Sequence, residues 1–106
     1  MQERYYSYVH CQQGFWYALG VLDSQLREAV CSQVAKLLKD LRVERGLSMT
    51  ELAARAGLSR AMISFIEHEF RNPTLDTLLR ITAVLKVDLA DVLRKAEIQA
   101  AKKPRS

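Results

Sequence analysis

The sequence predicts an all-α fold, a compact domain of five helices preceded by an aromatic-rich arm. Three observations carry this. Apolar residues from Leu26 to Leu41 recur at steps of three and four, the repeat of one helical face. Ser48, Ser59, Thr74 and Asp88 each stand just before a periodic apolar stretch, where a helix start needs an acceptor for its unpaired N–H groups. Glycine and proline are scarce, four and two in 106 residues, too few for a many-turned β-fold.

The first helix is expected from Ser24 to Arg45, with Leu26, Val30, Val34, Leu37, Leu38 and Leu41 as its stripe and Gly46 as its stop. Ser48 and Glu51 then have capping-box spacing, with Leu47 and Leu52 as a hydrophobic staple, so a short second helix covers Met49 to Ala56 and closes at Gly57. Ser59 caps a third helix that ends near His68, with Leu58 and Ile63 as staple and Ile63 and Ile66 facing inward. Pro73 breaks the chain and Thr74 caps a fourth helix, Leu75 to Leu85, with Leu75, Leu78, Leu79, Thr82 and Leu85 on one face. Asp88 caps a fifth, with Val87 and Val92 as staple, continuing through Leu93 and Ala96. The expected organisation is an arm at 1–23, a helical domain at 24–98 and a basic, flexible tail at 99–106.

Charge is distributed unevenly. The chain carries a net +4, but residues 1–35 hold two basic and three acidic side chains, and residues 36–106 hold fourteen and nine. A basic C-terminal two-thirds suits a polyanionic partner. No secretory leader pattern follows Met1, and the longest apolar run, Phe15 to Leu22, is far short of a membrane span, so a cytoplasmic protein without a membrane partner is expected. Cys11 and Cys31 make no disulfide framework, and Cys31 is expected as a small buried thiol on the first helix. His10, Cys11, Cys31 and His68 lack the paired spacing of a metal site. Nucleophile, base and orienting group occur in no recognisable arrangement, and there is no Gly-rich phosphate loop; neither catalysis nor a cofactor is expected.

The informative stretch is Met49 to Phe65, two helices joined by a tight turn. Such a pair crosses steeply, which requires a small residue at the crossing (Ala53) and one tolerant of positive φ in the turn (Gly57). Leu52, Ala56, Leu58, Ile63 and Ile66 supply the buried seam. The run Leu47-Ser48-Met49-Thr50-Glu51-Leu52-Ala53, then Ala56-Gly57-Leu58-Ser59, Ile63-Ser64-Phe65-Ile66-Glu67 and Arg71-Asn72-Pro73-Thr74-Leu75, resembles the phage repressor/Cro-type (Xre-like) helix-turn-helix family. The likeness extends from about Val34 to Leu93.

That resemblance implies a five-helix domain that binds operator DNA, commonly as a homodimer, and regulates transcription, most often by repression. It makes the helix opening at Ser59 the recognition helix, with Arg60, Ala61, Ser64 and Phe65 on its exposed face. Arg60 would bond guanine through its planar fork, Ser64 can donate or accept, and Ala61 and Phe65 suit thymine methyl groups. Phosphate contacts would come from the ends of the second and third helices, with Ser48, Thr50, Ser59, Arg71, Asn72 and Thr74 assisting; plain capping explains the hydroxyls equally well. Arg42 and Glu67 occupy positions where the family holds an ion pair that orients the recognition helix. The chain departs from the family at Met49, where a glutamine is common, at Glu69, where a glycine usually follows the recognition helix, and at Phe65, where a polar reader is usual. Glu69 therefore either adopts positive φ or lets the helix run on. These departures support a rival reading, a protein-interaction module or antitoxin-like partner that keeps the fold without DNA specificity.

Residues 1–23 hold six of the eight aromatic residues, and Arg4 to Val9 and Phe15 to Val21 are rich in strand formers around Gln12-Gln13-Gly14. A β-hairpin acting as a dimerisation arm is the expectation, against an extension that merely covers the first helix.

Overall fold

The computed structural model describes residues 23–102, and every regular element in that range is an α-helix. In chain order these are α1 (Asp23–Glu44), α2 (Met49–Ala56), α3 (Arg60–Glu67), α4 (Leu75–Leu85) and α5 (Leu89–Lys102). The arm, with its expected hairpin, and the end of the tail, residues 103–106, lie outside the described residues.

Helix starts follow the capping chemistry. Ser48 Oγ accepts from the Glu51 N–H at 3.0 Å while the Glu51 carboxylate accepts from the Ser48 N–H at 2.9 Å, a complete capping box. The bond from the Ser48 backbone N–H, with a smaller contribution from the Ser48 hydroxyl, holds the Glu51 carboxyl below its ordinary pKa. Ser59 Oγ accepts from Met62 N–H at 3.0 Å and Thr74 Oγ1 from Thr77 N–H at 3.1 Å.

Helix ends share one device. After α1, α2, α3 and α4 the chain steps into the left-handed region at Gly46 (φ 70°), Gly57 (φ 72°), Glu69 (φ 63°) and Lys86 (φ 60°). The next residue in each case then donates back across the last turn: Leu47 to Arg42, Leu58 to Ala53, Phe70 to Phe65 and Val87 to Thr82, at 2.8–3.1 Å. This is the Schellman pattern, which satisfies carbonyls that a helix end would otherwise orphan. Of the two outcomes open for Glu69, positive φ is the one realised.

The core joins Val34 and Leu38 of α1, Leu52 and Ala53 of α2, Ile63 and Ile66 of α3, Ile81 and Leu85 of α4, and Val92 and Ala96 of α5. Leu38, Leu52, Ile63, Ile81 and Leu85 are essentially solvent-free, each contributing about 1.5–3 kcal/mol of burial. The most extensive interhelical contact is α1 with α5. Small residues at Ala96 and Ala100, spaced a turn apart beyond Val92, form the buried stripe of α5.

Several side-chain placements differ from the sequence expectation. On α4 the buried face is Ile81, Thr82 and Leu85 with Leu78 at its edge, while Leu75 and Leu79 are exposed, by 64% and 50%. The apolar residues of α4 exceed one face, and contact with α1, α2 and α5 selects the rotation. Thr82 is accepted there because its hydroxyl donates to the Leu78 carbonyl at 2.9 Å. Leu93 is partly exposed and α5 continues through Lys102, into the segment expected as tail. Cys31 is exposed, because Val34, Ala35 and Leu38 take the inward face of α1.

Candidate nucleic-acid interface

α2 and α3 pack on one another through Leu52, Ala53, Ile63 and Ile66, all buried. The turn between them depends on Gly57, since the left-handed backbone there disfavours any Cβ. An added Cβ would also meet the Arg80 guanidinium at 3.0 Å. Arg80 sits against this turn, with Nη1 3.4 Å from the Ala56 carbonyl and Nε donating to Asp76 at 2.8 Å, so α4 braces the end of α2.

Once Ile63 and Ile66 are buried, helical geometry dictates what faces outward. Residues 60, 61, 64, 65 and 68 share the opposite side of α3. Arg60, Ala61, Phe65 and His68 are exposed and Ser64 is half-buried. Among the described residues Arg60 makes no hydrogen bond or ion pair, so its fork of donors faces solvent.

The opposite side of α3 is anchored by charge. Arg42 Nε donates to Glu67 Oε2 at 2.7 Å and Nη2 to Oε1 at 3.0 Å, a bidentate pair from α1 to the last turn of α3. Nη1 donates to the Leu47 carbonyl at 2.8 Å, tying in the approach to α2 as well. Only 10% and 4% of the two side chains is accessible. The hydrogen bond to Glu67, reinforced by its charge, raises the Arg42 pKa above the ordinary arginine value despite burial, so the guanidinium stays charged.

The candidate phosphate-side residues are exposed at the helix starts and at the α3–α4 connection: Ser48, Thr50 and Ser59 on one side, Arg71, Asn72 and Thr74 on the other. The hydroxyls of Ser48, Ser59 and Thr74 are engaged as caps. Ser59, as an acceptor, keeps an O–H to donate, whereas Thr74 bonds a second time to the Thr77 hydroxyl at 3.0 Å.

One group at this end of α3 has no counterpart in the sequence reasoning. Phe70 packs edge-on against Phe65 with ring centroids 6.4 Å apart, and His68 stacks on Phe70 at 6.0 Å. The Arg71 guanidinium lies over the Phe65 ring, 5.5 Å from its centroid. His68 Nδ1 lies 2.8 Å from the Ser64 carbonyl, a bond in which the ring nitrogen donates. The signal available in sequence is two phenylalanines five residues apart across a helix end, the pair that meets in a Schellman motif. Without a glycine at 69 that motif cannot be read in advance.

No three His, Cys, Asp or Glu side chains among the described residues converge on a point that could hold a metal ion, and no described helix is long and apolar enough to cross a membrane.

Residues 38–92, just over half of the chain, match the family model described as Helix-turn-helix. Over 67 residues the chain is 40% identical to the ImmF control region 10 kDa protein of Bacillus phage phi105, covering 63% of this chain and 73% of that one. It is 32% identical over 65 residues to the HTH-type transcriptional regulator SinR of Bacillus licheniformis, covering 60% of this chain and 59% of the relative's length. Among solved structures, the wild-type restriction-modification controller protein C.Esp1396I superposes with a TM-score of 0.61 at 32% identity, covering 72% of this chain and 96% of that one.

Proposed function

The chain belongs to the helix-turn-helix family matched over residues 38–92, and on that premise we propose that it is a sequence-specific transcriptional regulator binding double-stranded DNA. It acts as a repressor on a pseudo-palindromic operator, as a homodimer in the cytoplasm, and needs no cofactor. The observation that carries this reading is the outward face of α3, where Arg60 and Ala61 are exposed on a helix fixed from behind by Arg42 and Glu67. SinR and the phi105 ImmF protein, by their names a transcriptional regulator and a control-region protein, support the regulatory role.

In this reading α3 enters the major groove and Arg60 bonds a guanine through O6 and N7. Ala61 and Phe65 meet apolar base edges and Ser64 a polar one. The starts of α2 and α3, with Thr50, Ser48 and Ser59, hold one phosphate strand, and Arg71, Asn72 and Thr74 hold the phosphates beyond the end of α3. Two copies of α3 about 34–36 Å apart read successive turns of the duplex.

Polarisation titrations against an operator selected from random duplexes test this. Affinity falls steeply between about 50 and 200 mM salt, as counterion release requires. Arg60→Ala lowers discrimination at one base pair per half-site by about 1–3 kcal/mol and leaves non-specific binding nearly unchanged. Salt-insensitive or undetectable binding to the selected pool would instead favour a protein-interaction module.

A further inference from the structure

We infer that Phe65 and Phe70 form a single apolar tip at the end of α3 that packs on thymine 5-methyl groups, so that each half-site demands a thymine. The inference rests on the DNA-binding reading above and adds to it a residue, Phe70, and the base that the residue selects.

Phe70 is the most exposed of the large apolar side chains among the described residues, at 74%, yet its position is tightly set. The left-handed turn at Glu69 lets the Phe70 N–H donate to the Phe65 carbonyl at 2.8 Å. That bond brings the two rings edge-to-face, and His68 stacks on Phe70. The ring is thus preorganised without being buried, so contact with a partner costs little side-chain ordering. Intramolecular capping accounts for the contact between the rings, but not for a phenylalanine left mostly in water.

Phe65 decides which partner the tip meets. It lies on the same face of α3 as Arg60, Ala61 and Ser64, so whatever these residues read also lies against the tip. Arg71, held over the Phe65 ring, adds a fixed positive charge at the rim, which suits a polyanion and opposes an apolar protein surface. The major groove offers one methyl group, that of thymine; the donor and acceptor atoms that mark the other bases there would be left unpaired by a phenyl ring. An aromatic tip therefore favours thymine and disfavours the rest.

Deoxyuridine, which lacks only that methyl, isolates the contact. In the selected operator each thymine is replaced in turn by deoxyuridine, and binding is measured for wild-type protein, Phe70→Ala, Phe70→Leu and Phe65→Ala. Replacement at one thymine of each half-site weakens wild-type binding about fourfold per half-site, the worth of one buried methyl. Phe70→Ala and Phe65→Ala bind the thymine and uridine duplexes alike, and Phe70→Leu keeps part of the preference. Because the rings touch, the double variant Phe65→Ala/Phe70→Ala loses no more of the preference than either single change. Far-UV circular dichroism confirms the helical fold of each variant, and the leucine substitution repeats the test should the alanine one unfold. Salt-dependent, sequence-specific binding whose thymine-to-uridine ratio is the same with and without the Phe70 ring overturns this inference alone. Failure of the wild-type protein to bind any duplex overturns the regulator reading and the tip together.

Discussion

Arg42 and Glu67 lie 25 residues apart in the chain and meet with both carboxylate oxygens engaged and a third bond to the Leu47 carbonyl. A pair this enclosed is weak evidence of net stabilisation, because desolvation offsets much of the attraction; it fixes the position of α3 against α1. Removing one partner is a different matter. Glu67→Ala leaves a buried guanidinium uncompensated and is expected to cost about 3–5 kcal/mol in urea denaturation. The apolar double replacement Arg42→Met/Glu67→Leu should recover most of that stability while loosening the hold on α3. The pair was legible only through family resemblance: composition and helical periodicity put a cation on α1 and an anion on α3 without saying that they meet. Arg60 entered through the same resemblance, and the burial of Ile63 and Ile66 is what leaves its side of the short helix facing outward.

At the scale of elements, helix starts and ends were unequally readable. Starts are written in side chains, and Ser48, Ser59 and Thr74 cap as their positions imply. Ends are written in backbone conformation. Gly46 and Gly57 announce theirs, but Glu69 and Lys86 adopt the same left-handed geometry with a Cβ in place, at roughly 1–2 kcal/mol each. Glu69→Gly and Lys86→Gly should therefore each stabilise the domain by about 1 kcal/mol in thermal or urea denaturation, and Gly57→Ala should destabilise it by roughly 1–2 kcal/mol. A destabilised Glu69→Gly would overturn the claim that the Glu69 backbone carries this cost. The rotation of α4 shows a second limit. Leu75, Leu78, Leu79, Ile81, Thr82 and Leu85 admit more than one stripe, and spacing cannot choose among them.

At the scale of the molecule, α1 and α5 lie together along one flank and α2 packs on α3, with α4 touching α1, α2 and α5. The core, caps and ion pair just described are formed by residues 23–102. Deletion of residues 1–22 should leave a helical chain that still unfolds cooperatively in thermal denaturation followed by circular dichroism. If the arm joins subunits, sedimentation of the truncated chain shifts toward monomer and operator affinity falls with the loss of the second reading helix. An unchanged mass would overturn the role of the arm in joining subunits.

Sequence alone determined the helices, their order, their starts and the inward residues of α3, because local capping chemistry and the 3.6-residue repeat act within a few residues. Tertiary packing decided which side of α4 is buried, that Cys31 faces solvent, that a glutamate closes α3, and that Phe70 stands beside Phe65. Each of those depends on what a neighbouring segment leaves room for, and no local pattern encodes that.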